Sequence, residues 1–307
     1  MHDLSLRQLR AVSAVFRTRK IVLAAKELGL TQPAVSLQLR EAENLIGAPL
    51  FDRTVEGMRP TAAGLAVVDA ARAIEERLRV LADEVEAIVG GRKGALRLGV
   101  VSTAKYFAPA IMAAFMREHP GIEMSLWVGN RAETIAALHT HGVDIALMGR
   151  PPREVQVRAA LFGEHPLVII AAPDHPLAQT RDITKDRVAK EHFLVREPGS
   201  GTRISLDIFL ADIPGRLDNP GVEMGSNETI KQAVMAGLGV ALISAHTIAQ
   251  EVETRRLVIL DVVGMPIRRQ WFSVSRLDRS MTPAMRAFED FLKAEGAKFL
   301  PALLTRD

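Results

Sequence analysis

The sequence predicts an all-α winged helix-turn-helix domain, a long linking helix, and then an α/β domain of two lobes. Three observations carry this reading. Apolar residues recur at helical spacing from Leu6 to Ile46, interrupted by Gly29. A heptad-spaced apolar stripe follows from Val67 to Ile88. From Ala95 onward, short apolar strand-like runs alternate with helical ones, the pattern of parallel sheets flanked by helices. The 307 residues suit about two folded units with room for a small third.

Composition narrows the class. Apolar residues make up 48% and charged residues 24%, close to the soluble globular average, which excludes a disordered or collagen-like chain. There is no cysteine, so disulfides, thiolate metal sites and cysteine nucleophiles are excluded. No apolar stretch approaches the ~18 residues of a membrane span. The start, MHDLSLRQLRAV, reads as an amphipathic helix and not as a signal segment, so a cytoplasmic protein is expected. The net charge of +3 is unevenly placed. Residues 1–64 hold nine Lys/Arg and six Asp/Glu, and the remainder is balanced. That local excess points mildly to a polyanionic partner.

In the first segment, Leu6, Leu9, Val12, Val15 and Phe16 mark one helix, and Ile21 to Leu28 a short second one ending at Gly29. Thr31 is a good N-cap, and Pro33 is tolerated in a first helical turn. Val35, Leu39, Ala42 and Ile46 continue an apolar face on the third helix. A short helix, a glycine turn and a polar-tipped helix make the helix-turn-helix pattern, whose second helix meets base edges in the major groove. Gln32 has the groups to pair with adenine, and Ser36 with several bases. Periodicity alone leaves an ordinary three-helix bundle with polar caps open. Residues 49–60 then read as a two-stranded wing turning at Glu56-Gly57, with Arg53 and Arg59 suited to phosphate contacts.

The run Ala24-Ala25, Leu28, Thr31-Gln32-Pro33-Ala34-Val35-Ser36, Gln38-Leu39, Glu43, Gly47, Leu50-Phe51, Arg53, Thr61 and Gly64 resembles the N-terminal signature of LysR-type transcriptional regulators. Two positions depart from it. Ala42 replaces a larger core leucine, and Arg19-Lys20 replace small residues; Lys20 reads as solvated more readily than as a phosphate contact. The resemblance implies that Thr31, Gln32, Pro33, Ser36, Gln38, Arg53 and Arg59 face DNA.

Thr61 can cap a helix running to about Val89, roughly 42 Å long at 1.5 Å per residue. Val67, Ala71, Ile74, Leu78, Leu81, Val85 and Ile88 form a heptad seam on it, and Arg72/Glu76, Glu75/Arg79 and Arg79/Asp83 are spaced as outer ion pairs. Such a seam needs a partner helix, so dimerisation is expected, with packing on its own domain as the alternative. Gly90-Gly91-Arg92-Lys93-Gly94 is a flexible exit. The expected boundaries are 1–60 for the winged domain, 61–92 for the linking helix and 93–307 for the α/β domain. Within the last, one lobe takes about 93–163 and 267–307, the other about 164–266.

In the α/β part, Leu96–Val100, Glu123–Val128, Ile145–Met148, Leu167–Ala172, Phe193–Val195, Val222–Gly225, Val240–Ile243 and Trp271–Val274 read as strands. Helices are expected over Tyr106–His119, around Ile135, from Arg203, from Asn227 and over Pro283–Lys293. The resemblance to LysR-type regulators implies that the chain crosses between lobes twice, near Gly163–Pro166 and Val263–Ile267. Ligands of open α/β sheets lie beyond the carboxyl ends of the strands. Four such ends carry Ser102-Thr103-Ala104-Lys105, Gly149-Arg150, Arg196 through Gly199-Ser200-Gly201-Thr202-Arg203, and Ser226-Asn227-Glu228. Helix N-termini and four cations at one edge favour an anion. Taken alone, Ser226 and Thr202 read as caps.

These loops, together with Asn130-Arg131, resemble the LysR-type regulators of Calvin-cycle carbon-fixation operons. The resemblance implies the type II periplasmic-binding-protein fold and no bound cofactor. It implies an effector such as a sugar phosphate, phosphoenolpyruvate, 2-phosphoglycolate or NADPH. It also implies promoter DNA, RNA polymerase and further copies of the chain, as a dimer or a dimer of dimers, as partners. Sulfate or a carboxylate would fit the same groups. Other chemistry finds little support. Gly237-Leu238-Gly239 is too short for a dinucleotide fingerprint, His139 and His141 are poorly spaced for a metal, and no catalytic constellation is visible, so an enzyme is not expected. A solute receptor or a phosphate-handling lyase on the same fold remains the alternative of another class.

Overall fold

A computed structural model describes residues 4–55, 57–89, 94–214 and 221–302. The chain divides into two units near Ala82. In the first, Ser5 caps α1 (Leu6–Thr18): its hydroxyl accepts from the Gln8 N–H, and Gln8 Oε1 accepts from the Ser5 N–H. This capping box satisfies donors that a helix start leaves open. α2 (Ile21–Leu28) stops at Gly29, where φ is 65°, a left-handed turn that glycine takes without strain. Thr31 caps α3 (Gln32–Ile46) by accepting from the Ala34 N–H, with Pro33 in the first turn. Ala11, Val12 and Val15 of α1, Ala24 and Ala25 of α2, and Val35, Leu39 and Ala42 of α3 share one core with Leu50, Phe51 and Val68.

The wing pairs β1 (Phe51–Thr54) with β2 (Gly57–Pro60), Arg53 opposite Met58 and Asp52 opposite Arg59. Glu56, half of its expected turn, lies outside the described residues. Gly57 has φ 124°, and a Cβ there would stand 2.5 Å from the Arg19 carbonyl oxygen. The Met58 N–H donates to that same carbonyl at 2.8 Å, tying the wing to the α1–α2 turn.

α4 (Ala62–Val89) is 28 residues long, with the Thr61 hydroxyl accepting from the Gly64 N–H. Val68, Ala71 and Val80 are buried, whereas Ile74, Leu78, Leu81 and Val85 are 38–50% exposed. Ile88 and Asp83 lie outside the described side chains. Two of the three expected ion pairs, Arg72/Glu76 and Glu75/Arg79, find other partners, and the third, Arg79/Asp83, lies outside the described side chains. Asp69 faces Arg72 at 3.6 Å and Glu76 faces Arg79 at 3.0 Å, three apart instead of four, while Glu75 faces Arg10 of α1 at 3.8 Å. Positions three apart are equally neighbours on a helix surface.

The second unit begins with β3 (Ala95–Val101), α5 (Ala108–Glu118), β4 (Glu123–Gly129), α6 (Arg131–His139) and β5 (Ile145–Met148), β3 lying parallel to both β4 and β5. The expected helix over Tyr106–His119 is broken at Phe107, with a 3-10 turn over Ala104–Tyr106 ahead of α5. β6 (Val157–Ala171) follows. Then come α7 (Lys185–Val188), β7 (Leu194–Arg196), α8 (Gly201–Phe209), β8 (Val222–Met224), α9 (Asn227–Met235), β9 (Ala241–Ser244), α10 (Ala249–Glu253) and β10 (Val258–Ile259). β11 (Ile267–Arg276) and α11 (Pro283–Glu295) complete the unit.

Two lobes result. Leu98, Ile111, Phe115, Ile145, Leu147, Trp271 and Phe288 belong to one core. In the other lobe Leu167, Ile169 and Ala171 of β6 face one cluster and Val168 and Ile170 face another. Both faces of that stretch are buried, which is why Leu167–Ala171 reads as an unbroken apolar run. The crossing at Gly163–Pro166 is not a loop. β6 is one strand of 15 residues, and β11, also longer than expected, returns antiparallel along it from Ile267 to Arg276. Ladder pairing with β11 keeps the polar Glu164 and His165 in the strand although they break the apolar pattern. β9 and β10 then pair with the far end of β6.

Candidate DNA-reading helix and anion cavity

Val35, Leu39 and Ala42 turn α3 inward, leaving Gln32, Ser36 and Arg40, each four residues apart, on one outer row. Gln32 and Arg40 are exposed and Ser36 half-buried. Ser36, Arg40 and Arg53 line one depression between α3 and the wing, with Glu43 at its edge. Arg59 is exposed on β2, Gln38 is half-buried, and the Thr31 hydroxyl is engaged as the helix cap. The first unit therefore offers a donor-and-acceptor helix edge flanked by a cationic wing, the chemistry of groove reading with backbone anchoring.

In the second unit, a cavity of about 240 Å³ opens between the lobes. Ser102 and Thr103 after β3, Arg131 at the start of α6, Gly149 and Arg150 after β5, and Ser200, Gly201 and Thr202 at the start of α8 line it. α8 begins at Gly201, earlier than expected. Thr202 is therefore inside the first turn and not a cap, and Ser200 holds the N-cap position with no side-chain hydrogen bond. Free N–H groups and the positive end of α8 face the cavity.

Four arginines line the cavity: Arg131, Arg150, Arg153 and, from β11, Arg269. Burial lowers the Arg131 pKa, opposed by Glu154 and reinforced by Arg150. Burial, Arg150 and Arg131 together lower that of Arg269. The cations push on one another, and Glu154 is the carboxylate on the lining. Like charges collected around a helix N-terminus favour an entering anion, which relieves the repulsion. His165 completes the wall, stacked on Trp271 with ring centroids 3.9 Å apart. Burial, His246 and Arg269 hold its pKa well below the usual value, so the ring is neutral near pH 7.

Several expected site residues lie elsewhere. Lys105 donates to Glu228 at 2.9 Å, and the Tyr106 hydroxyl donates to the other Glu228 oxygen. Arg196 is buried, donating to Glu197, Asn227 and, at 3.3 Å, Ser102. Arg203 donates to Asp207 and to the Arg196 carbonyl, both at 3.1 Å. Asn130 caps α6 in a box with Glu133, Gly199 accepts from the Ala132 N–H, and Ser226 caps α9. Of these, Lys105 and Tyr106 with Glu228, Arg196 with Ser102, and the Ala132 N–H with the Gly199 carbonyl join the lobes beside the cavity. Burial pushes the Glu228 carboxyl up, but the bonds from Tyr106 and Lys105 outweigh it and pull its pKa down to about 2. Burial and the same carboxylate push the Tyr106 pKa up.

Comparison with known proteins gives a family. Residues 6–65 match the model of the bacterial regulatory helix-turn-helix protein, lysR family, and residues 90–297 match that of the LysR substrate binding domain. The chain belongs to the LysR family. Among relatives of this LysR-type regulator, the HTH-type transcriptional regulator CbbR of Sinorhizobium medicae is 61% identical, covering 99% of this chain and 97% of its own. The RuBisCO operon transcriptional regulator of Allochromatium vinosum is 47% identical over 97% of this chain and 98% of its own. The solved regulatory domain of Synechocystis CcmR in complex with 2-PG is 36% identical, with a TM-score of 0.63, and covers 68% of this chain and all of that one.

Sequence reasoning missed Arg40, Arg269, His165 and Glu154. Two had usable signals. Arg40 continues the four-residue row of Gln32 and Ser36, and Arg269 stands two residues before Trp271, on the same face of a strand. Among the described residues no helix is long and apolar enough to cross a membrane, and no His/Asp/Glu group could hold a metal ion.

Proposed function

We propose that this LysR-type regulator controls a carbon-fixation (RuBisCO) operon in response to a compact phosphorylated acid held between its lobes. The convergence of Arg131, Arg150 and Arg269 on the start of α8 carries the reading. The names of the relatives supply the operon, and the 2-PG complex of the CcmR domain supplies a ligand of fitting chemistry. Size narrows the effector. A cavity of about 240 Å³ sits below the range of drug-sized sites, which favours 2-phosphoglycolate or phosphoenolpyruvate over NADPH. Residues 1–60 bind promoter DNA, 61–92 pair two copies of the chain, and 93–307 receive the effector. A dimer, or a dimer of dimers, works on DNA in the cytoplasm, contacts RNA polymerase and catalyses nothing.

Calorimetric titration of the full chain with 2-phosphoglycolate, phosphoenolpyruvate, NADPH and sulfate tests this. Saturable binding of the small phospho acids is expected, weakened about ten- to hundredfold in Arg269→Ala, the worth of one charged hydrogen bond. Arg203→Ala, whose guanidinium is engaged by Asp207, should change it little. Binding of sulfate or carboxylates alone would move the regulator to another pathway.

A further inference from the structure

Besides its arginines, the cavity wall holds a buried histidine, His165. His165 pairs with Arg269 across the antiparallel β6–β11 register, so the two side chains share a face. The residue is 7% exposed, and Nδ1 and Nε2 are both buried with no hydrogen-bond partner among the described residues. Its plane is fixed by the Trp271 stack at 3.9 Å, and Trp271 is itself held by its Nε1–H donating to His246 Nδ1 at 3.1 Å. Gly149 approaches from the cavity loop so closely that a Cβ there would come within 2.7 Å of His165 Nδ1. A phenylalanine could fill the same stack without burying two polar atoms, so packing alone does not explain a histidine.

We propose that His165 determines effector specificity: a ring nitrogen hydrogen-bonds the second oxygen function of a phosphorylated acid whose phosphate the arginines take. This rests on the phosphorylated-acid reading above. The neutral ring adds direction without adding charge. A bare anion such as inorganic phosphate uses the arginines and the α8 N-terminus and gains nothing from it. The residue therefore separates a phosphorylated acid from the free phosphate that shares its charge.

The test titrates the full chain, His165→Phe and His165→Gln with 2-phosphoglycolate and with inorganic phosphate. Calorimetry is read beside Trp271 fluorescence in a Trp127→Phe background. His165→Phe should bind phosphate within about twofold of the parent while losing about tenfold or more for 2-phosphoglycolate, and His165→Gln should recover part of that loss. Unchanged 2-phosphoglycolate affinity in His165→Phe, or equal losses for both anions, overturns the inference and leaves the effector reading standing. If the parent chain binds neither anion, the effector reading falls and this inference falls with it. Nitrogen NMR of the parent chain needs no variant. A His165 ring nitrogen should shift on adding 2-phosphoglycolate and hold still with phosphate; no shift with 2-phosphoglycolate overturns the assignment.

Discussion

Gln32 and Arg53 lie on the same unit but ask different things of DNA. Gln32 projects from the exposed first turn of α3, where an amide can pair with a base edge. Arg53 is an exposed cation on the wing, and its proposed role is a phosphate contact, which carries no sequence information. Gln32→Ala should cost about 1–3 kcal/mol on the cognate promoter and nearly nothing on bulk DNA. Arg53→Ala, the contrast, should weaken both and reduce the salt slope by about 1. Fluorescence anisotropy at several salt concentrations on both DNAs separates the two. Equal losses for Gln32→Ala on both would remove it from base reading. At this scale the sequence was legible where a residue's role is local. Thr31, Gly29 and Ser226 act on neighbours three or four positions away, and spacing shows that. It was misleading for Arg203, because Asp207 four residues on takes its guanidinium. It was also misleading for Arg196, whose partners Ser102 and Asn227 are distant in the chain.

At the scale of elements, α4 follows its heptad pattern closely but leaves Ile74, Leu78, Leu81 and Val85 substantially exposed. Four large apolar groups along one stripe of a 28-residue helix match the seam of the proposed pairing between two copies. Leu81→Glu should shift the chain from dimer towards monomer, since two copies would then face each other with like charges. Sedimentation velocity reads the change, with circular dichroism to confirm retained helix. An unaltered sedimentation coefficient would place the dimer contact elsewhere. β6 shows the opposite relation between sequence and element. Its middle carries Glu164, His165 and Pro166, which interrupt the apolar pattern, so an unbroken apolar run announces a strand only from Leu167. Pairing with β11 from Val157 to Leu167 decides the matter, and that pairing partner lies about a hundred residues further on. Arg269 and His165 were hidden for the same reason, because their common face exists only once β6 and β11 are in register.

For the effector domain as a whole, two features lie between the lobes. The proposed anion site lies in the cavity between them, and direct bonds join them: the Lys105–Tyr106–Glu228 bridge, Arg196 to Ser102, and the Ala132 N–H to the Gly199 carbonyl. A ligand shifts an equilibrium between lobe arrangements only by its differential affinity for them. The bridge stabilises the observed lobe arrangement, and its strength depends on the charge of Glu228. The Glu228 pKa is near 2 in the folded chain and about 4.5 in an unperturbed glutamate. A depressed carboxylate contributes stability that is complete above the unperturbed value and disappears as pH falls through the folded one. Glu228→Gln removes that contribution at every pH. Its melting temperature should therefore lie below the parent's at neutral pH, and the gap should narrow steadily as pH falls from about 5 towards about 2. Because the Glu228 side chain is 46% exposed, solvent screens the bridge and the gap should be modest. Differential scanning calorimetry across that range checks it. A gap that stays constant with pH would mean the carboxylate's charge does not hold the lobes together, leaving the cavity as the contact through which an effector acts on them.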